Sequence, residues 1–223
     1  MRISIVIPTL NEAAQIGDTL RPLQALRGRG HEVIVVDGGS VDDTLGVAVT
    51  RADRCLSAPC GRSGQMNAGA ACASGDILWF LHADTRVDRG CDRIIVAACG
   101  ATDSWGRFDV RLSGRQPLLR MVERLMNLRS RLTGIATGDQ GMFVTRTLFD
   151  RVGGFPAIPL MEDIELSKRL RRIQRPLCLR HRVVTSSRRW EEQGIVRTIA
   201  LMWYLRLAYF LGVPAERLAV RYD

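Results

Sequence analysis

The chain is predicted to be an α/β protein with a mixed, mostly parallel central sheet flanked by helices and a C-terminal helical tail. Three observations carry this reading. Residues 2–7, Glu32–Asp37 and Ile77–Leu81 are short apolar runs, the pattern of strands buried on both faces. A helical pattern separates the first two, which makes a parallel βαβ unit with a right-handed crossover. A 19-residue apolar segment, Ile195–Val213, lies in the tail.

Residues 2–7 are expected to end at Pro8. Thr9 or Asn11 can cap the next helix, with Glu12 in its first turn and Leu20, Leu23 and Leu26 on its apolar face, until Gly28 and Gly30 stop it. Glu32–Asp37 runs at once into Gly38, Gly39, Ser40, Val41, Asp42, Asp43 and Thr44. A carboxylate at the carboxyl end of such a strand suits a ribose or base edge, since it accepts from N–H and O–H groups, and Asp37 is that candidate. Gly38 and Gly39 let the backbone turn sharply and approach a ligand. The segment from Ser40 to Asp43 is also a plain helix N-terminus. No GxGxxG follows the first strand and no Gly-Lys-Ser/Thr occurs, so neither a dinucleotide fingerprint nor a P-loop is present.

Arg54–Ala58 reads as a short third strand. Gly61–Ala70 is a glycine-rich loop entering an alanine-rich helix that ends at Ser74-Gly75. Arg62, at that helix N-terminus, is placed to meet a phosphate and reads equally as a solvated charge. Asn67 reads as a binding residue or as a polar residue on the helix surface. The run Ile77–Leu81 stops abruptly at His82-Ala83-Asp84-Thr85. A carboxylate just past a central strand sits in the crevice where open α/β sheets bind ligands, and Asp84 reads also as a helix cap.

Residues 92–99 read as helix, and Trp105–Leu112 alternates like a strand with one wet face. Residues 117–132 form an amphipathic helix with Pro117 first. Arg120, Arg124 and Arg131 can share a face there, read first as solvated and second as turned toward an anionic partner. Gly138–Val144 is a polar turn entering a strand. Glu162, Asp163 and Glu165 open a helix that runs to about Arg172, where they complement its dipole. Glu162 and Asp163 also follow a Gly/Pro-rich loop that can lie over a cleft, where a carboxylate serves as a general base. Leu177–Ser186 is a last strand. A membrane-spanning helix needs ~20 largely uncharged residues, and each central arginine costs roughly 2.5–3.5 kcal/mol. Arg197 and Arg206 interrupt Ile195–Val213, so it is read first as a packing helix, second as an interfacial helix and third as a span.

The 223 residues suffice for one good core, with 46% apolar and 25% charged side chains. The net charge of +9 is unevenly placed: residues 1–100 carry 10 basic and 11 acidic side chains, residues 101–223 carry 22 and 12. A neutral first half and a basic second half point to an anionic partner of the second. The arginines are dispersed and no aromatic stacking motif accompanies them, which argues against a specific nucleic-acid partner. Six scattered cysteines without a CxxC pair, and no signal-peptide pattern, fit a reduced, cytoplasmic protein.

Taken in order, Pro8-Thr9-Leu10-Asn11-Glu12, Val36-Asp37-Gly38-Gly39-Ser40, Asp42-Asp43-Thr44, Ala83-Asp84 and Glu162-Asp163 make the chain resemble the family 2 glycosyltransferases, which have the GT-A fold. Gly61-Arg62 to Gly69, His82 to Thr85, Gly138-Asp139-Gln140-Gly141 and Arg188-Arg189-Trp190 are most similar to the radical-SAM/selenodomain-associated transferases. The resemblance implies a single domain over 1–223, with a nucleotide-binding half (1–100), an acceptor-side half (101–190) and a helical tail (191–223). It implies metal-assisted, inverting transfer from a nucleotide-diphospho-sugar, UDP-sugar favoured, to an unknown acceptor. Pro8, Thr9, Asn11 and Glu12 would line the nucleotide pocket; Asp37, Gly39 and Ser40 the base side; Arg62, Asn67, Ala83, Asp139 and Gln140 the rest. Asp84, with His82 in place of the usual first acid, would hold Mn²⁺ or Mg²⁺. Asp163, beside Glu162, would be the general base. The QxxRW motif of processive enzymes is absent, since Ser186-Ser187-Arg188 precedes Arg189-Trp190, which implies single transfer. Membrane contact through the last helix, peripheral to the inner face, and a homodimer complete the expected partners. The alternatives are a nucleotidyltransferase and a non-catalytic nucleotide- or nucleic-acid-binding module.

Overall fold

The computed structural model describes residues 1–100 and 102–222; Ala101, where the expected halves meet, and Asp223, at the end of the expected tail, lie outside them. The first half alternates strictly: β1 (Ile3–Thr9), α1 (Ala13–Arg27), β2 (Glu32–Asp37), α2 (Thr44–Val49), β3 (Arg54–Ser57), α3 (Arg62–Cys72) and β4 (Ile77–Phe80). Then come β5 (Thr85–Arg86), α4 (Cys91–Cys99), β6 (Trp105–Leu112), α5 (Pro117–Thr133), a 3-10 turn (Gly138–Gln140), β7 (Phe143–Thr145) and α6 (Arg146–Arg151). The chain continues through α7 (Glu162–Arg171), β8 (Leu177–Thr185), α8 (Arg188–Glu192), α9 (Ile195–Phe210) and α10 (Ala215–Tyr222).

Among the described residues the strands form one sheet in the order β3-β2-β1-β4-β7-β6-β8-β5. β3, β2, β1 and β4 are parallel, as their helical crossovers require; β7 is antiparallel to both neighbours; β6 and β8 are parallel, with a bulge between Phe108 and Asp109. The expected mixed, mostly parallel sheet is therefore present. Strand alternation splits the core in two. Ile3, Ile5, Ile7, Ile77 and Trp79 pack under α1 and α4 with Leu20, Leu23 and Ile95. Val6, Ile34, Val36, Leu78 and Phe80 face the other way, against Met66, Ala70, Leu148 and Leu166. Each such aliphatic or Phe side chain contributes about 1.5–3 kcal/mol by leaving water.

Several expectations are corrected. β1 does not stop before Pro8 but pairs Pro8 with Val36. β4 pairs β1 only as far as Val6, so on that side a proline two residues later interrupts no ladder. α1 is not capped by Thr9 or Asn11. Its first amides are satisfied across the cleft, Glu12 by Thr44 Oγ1 at 2.8 Å and Ala13 by Asp42 Oδ2 at 3.1 Å. β6 has no fully wet face: Arg107 is wholly buried, donating to Ser130 Oγ at 2.9 Å and to the Asn127 carbonyl at 3.1 Å beneath α5. Of Arg120, Arg124 and Arg131 on α5, Arg120 and Arg131 are internal ties, to the Gly114 carbonyl at 2.6 Å and to Asp109 at 2.7 Å, and Arg124 alone is exposed. Among the described residues no helix is long and apolar enough to cross a membrane.

Candidate active site

The carboxyl ends of β1, β2 and β4 come together, and the loops beyond them build the site. After β2, both oxygens of Asp37 are occupied by neighbouring groups: Oδ2 accepts the Gly39 and Ser40 amides at 2.9 and 2.8 Å, and Oδ1 accepts Thr9 Oγ1 at 3.2 Å. Burial pushes this carboxyl up, but the Ser40, Gly39 and Thr9 donors more than offset it and hold it below the ordinary range. Asp37 thus shapes the turn in which Gly39 takes φ +94°, a conformation that glycine adopts without strain. Ser40 in turn accepts the Asn11 amide at 2.8 Å, and Asn11 Oδ1 accepts the Val41 amide at 2.9 Å, so the β1 and β2 loops are laced together.

Gln65, absent from the sequence-derived candidates, does similar work from α3. Its side-chain amide donates to the carbonyls of Thr9 and Val36, each at 2.8 Å, closing both strand ends against α3. Asn67, by contrast, is not brought to the cleft: it exchanges two hydrogen bonds with the Phe155 backbone, at 2.8 and 3.0 Å. Gln140 is likewise wholly buried, accepting the Thr137 amide at 3.2 Å and donating to Asn127 at 3.3 Å. Ala83 contributes its carbonyl, which accepts Thr19 Oγ1 at 2.6 Å.

A cleft of about 90 Å³ collects Arg62, His82, Asp139, Glu162, Asp163 and Tyr222. A larger hollow of about 360 Å³, lined by Asp76, Asp103 and Arg146, lies at the amino end of β4, away from these groups. His82 Nδ1 lies 3.2 Å from Asp139 Oδ1. Burial pulls the His82 pKa down, but the hydrogen bond and charge of Asp139 lift it above the ordinary imidazole value. The same contact helps hold Asp139 low against its own burial. Arg62 reaches Glu162 at 3.4 Å and looks onto the Tyr222 ring at 5.8 Å, while Arg189 covers that ring at 3.7 Å. Glu162 is raised by burial and by Asp163, against the pull of Arg62. Asp163 Oδ2 accepts the Gly138 amide at 3.0 Å, and Oδ1 accepts that of Ile164 at 2.7 Å. Among the described residues, two that are not glycine carry left-handed backbone, Asn11 (φ 54°) beyond β1 and Met161 (φ 70°) at the cleft. Asparagine tolerates this; the methionine is strained, and its turn swings the head of α7 toward the cleft.

Asp84 fits a divalent cation better than His82 does. Among the described residues its carboxylate receives only hydroxyls, Thr185 Oγ1 at 3.3 Å and Thr85 Oγ1 at 3.5 Å. Burial, with the charge of Asp139, raises its pKa despite His82 and Arg188, as for an acid short of a cation. His82 has Nδ1 on Asp139, and its Nε2 edge packs closely against Gly138, where an added Cβ would come within 2.2 Å. Among the described residues no three His, Cys, Asp or Glu side chains are grouped to hold a metal unaided. A divalent cation held by one carboxylate takes its remaining oxygens from other donors. Glu12 borders the same place: its carboxylate meets Arg188 at 3.3 Å, and burial raises its pKa.

Residues 4–147 match the sequence profile of Glycosyl transferase family 2. An uncharacterized glycosyltransferase of Mycobacterium tuberculosis is 31% identical over 169 residues, covering 69% of this chain and 62% of that protein. The beta-monoglucosyldiacylglycerol synthase of Synechocystis is 27% identical over 92% of this chain and 46% of its own length. The chain thus spans less than two thirds of the length of these relatives. Among solved structures, the M. tuberculosis glucosyl-3-phosphoglycerate synthase with Mn²⁺, UDP and glucosyl-3-phosphoglycerate superposes with a TM-score of 0.66 at 22% identity, over 96% of this chain and 81% of that one. The Pyrobaculum calidifontis mannosyltransferase with GDP-Man and Mn²⁺ gives 0.62 at 21% identity, over 82% and 56%. The sheet and its flanking helices are those of these glycosyltransferase structures.

Proposed function

The chain belongs to glycosyl transferase family 2, and on that premise we propose that it is an inverting, non-processive glycosyltransferase acting on a nucleotide-diphospho-sugar, UDP-sugar favoured. One observation carries the reading: Asp163 at the head of α7, the His82–Asp139 pair and Arg62 line one cleft, and Asp84, in the turn that follows β4, feels the charges of that pair. The proposed unit is one domain, with the nucleotide on residues 1–100, the acceptor against residues 101–190 and the helical tail beyond.

In this reading Pro8, Thr9, Asn11 and Glu12 line the nucleotide pocket, and Asp37 acts through the Gly39–Ser40 turn that it holds. Arg62 offers its guanidinium to the diphosphate, and its contact with Glu162 keeps it aimed into the cleft. Asp84 would hold a divalent cation, which when bound neutralises charge on the leaving diphosphate. His82 fixes Asp139, and with it the turn against Asp163. Asp163 takes the proton from the acceptor hydroxyl, making that oxygen the nucleophile at the anomeric carbon; the bond to the diphosphate breaks on the opposite face and the configuration inverts.

The tail adds a surface partner. Val196, Trp203, Leu207, Phe210 and Leu211 recur along one side of α9 and are 59–81% exposed. With Arg197, Arg217 and Arg221 exposed nearby, that stripe suits the face of an anionic membrane. The Synechocystis relative is a beta-monoglucosyldiacylglycerol synthase, which supports the same reading.

The deciding experiment is binding and hydrolysis of a panel of sugar nucleotides, with and without Mn²⁺, on wild type and Asp84→Ala. Mn²⁺-stimulated binding of one donor that Asp84→Ala loses is the expected result. No binding of any sugar nucleotide under either condition ends the transferase reading.

A further inference from the structure

Two helices of this chain are apolar on the side turned away from the core. On α5, Met121, Leu125, Leu128 and Leu132 recur at four- and three-residue spacings, the period of one helix face, and are 46–68% exposed. On α9, Val196, Trp203, Leu207 and Phe210 make a second stripe. The two helices meet, because Leu118 and Met126 of α5 pack with Trp190, Ile195 and Ile199 in one cluster. Leu118 and Leu125 are two turns apart on α5, so its exposed stripe borders that seam. Single exposed apolar residues are ordinary on a protein surface; two stripes flanking one seam mark a surface made to be covered.

Charge decides between the possible covers. α9 contains no Asp or Glu, and the one acid of α5, Glu123, is buried, accepting the Leu112 amide at 3.1 Å and facing Arg120 at 3.1 Å. The exposed charges on these two helices are Arg124 and Arg197. The acids Glu191, Glu192 and Glu216 lie on the neighbouring helices α8 and α10. A second copy of the chain would bring this same patch against itself, arginine side to arginine side, with no acid on either helix to receive them. An anionic bilayer receives both features, the apolar stripes at the acyl boundary and the arginines among the phosphates.

The other side of α9 is the cleft. Met202 and Leu205 line it, and with Leu160, Met161 and Ile164 they set an apolar wall beside Asp163. Consecutive residues of α9 thus face different ways, Met202 into the cleft and Trp203 outward. A helix with its side chains is about 10–12 Å across, so the cleft and the exposed stripe are one helix thickness apart. We propose that α5 and α9 form one docking face for an anionic bilayer, and that the acceptor is a lipid hydroxyl drawn from that bilayer along the apolar wall of the cleft. In the transfer the hydroxyl proton passes to Asp163, the oxygen bonds the anomeric carbon, and the nucleoside diphosphate leaves with the electron pair of the broken bond. That step rests on the transferase reading above; the docking face does not.

The test of the face is flotation with phosphatidylcholine vesicles, with and without phosphatidylglycerol. The proteins are wild type, the pair Leu125→Ser and Leu128→Ser, the pair Trp203→Ser and Phe210→Ser, both pairs together, and the control Val49→Ser, exposed on α2. Wild type is expected to float with the phosphatidylglycerol vesicles, and Val49→Ser to match it. Each pair should lower the partition coefficient about tenfold or more, and both pairs together about a hundredfold or more. Photocrosslinking reads the acceptor. A p-benzoylphenylalanine in place of Leu128, of Met202 or of Ile164 is expected to take label from vesicles of tritiated phosphatidylglycerol, and the same probe at Val49 to take none. Flotation that the Leu125 and Leu128 changes leave as in wild type, or a wild-type dimer that they split, overturns the docking face. Label at Leu128 with none at Met202 or Ile164 overturns the lipid acceptor. Sugar-nucleotide binding, measured without vesicles, stays that of wild type in both serine pairs. Failure of wild type to bind any sugar nucleotide, with flotation and crosslinking intact, removes the transferase reading and leaves the lipid face standing.

Discussion

Asp163 is tied to Gly138 by the 3.0 Å bond from the Gly138 amide, so the carboxylate at the head of α7 and the turn carrying Asp139 are set by one another. An asparagine at 163 can still accept that amide through its carbonyl oxygen. Asp163→Asn is therefore expected to fold normally and bind UDP as wild type does, while the initial rate of transfer falls by roughly 10²–10⁴-fold, the usual share of a general base. A rate close to wild type would remove Asp163 from that role.

The exposed stripe of α9 gives a second expectation. Trp203 and Phe210 are 71% and 81% exposed. The double substitution Trp203→Ser and Phe210→Ser removes no core contact and should weaken flotation with anionic vesicles by a few kcal/mol, about the transfer free energy of large apolar side chains. Unchanged flotation, or a wild type that self-associates where the variant is monomeric, would make the stripe a protein contact instead.

A third concerns packing of α3 on the sheet. A Cβ at Gly69 would lie 2.4 Å from Val6 Cγ1 and 3.0 Å from Val36 Cγ2, branched side chains on two central strands that cannot retreat. Gly69→Ala gains about 1 kcal/mol of helix propensity. Overpacking costs typically 1–3 kcal/mol. The clash is severe enough that the variant should unfold at lower urea than wild type; an increase in the midpoint would contradict this contact.

The fourth is a pH dependence. Glu32 lies on β2 with its carboxylate buried, accepting from Ser4 Oγ and from the amide and hydroxyl of Ser74, with Arg2 3.7 Å away. Burial raises its pKa, but Ser4, Ser74 and Arg2 together bring it below the ordinary 4.5. A depressed folded value adds stability that is complete above the unfolded pKa and is lost as pH falls through the folded one. Unfolding free energy in wild type should therefore fall more steeply below about pH 4.5 than in Glu32→Gln. Parallel curves in the two proteins would contradict it.

How much of this was legible in the sequence follows from where each signal resides. β1, β2 and β4 announce themselves because a strand covered on both faces must be apolar throughout. Pro117 and the Glu162–Asp163–Glu165 cluster marked helix starts for equally local reasons, and Asp163, at the head of α7, lines the cleft. β5 has only two residues, Thr85 and Arg86, too few for any period. The cap of α1 was misread because its acceptors, Asp42 and Thr44, stand about thirty residues away. Gln65, Asn67 and Arg107 share that difficulty: their roles depend on what distant backbone they meet. A long polar side chain inside a helical pattern carries no mark of this.

The position of β7 has a consequence for how the chain matures. β3, β2, β1 and β4 are complete once residue 80 has been made, each strand beside one close in sequence. The free side of β4 then waits some sixty residues for Phe143–Thr145 to slot in against Ile77–Trp79. Until it does, a buried-type strand with an apolar sequence presents an unpaired edge, the kind that recruits other chains. Nascent chains shorter than β7 are thus the aggregation-prone species of this protein, and the three-residue strand that looks least important in the sheet is the one that ends the exposure.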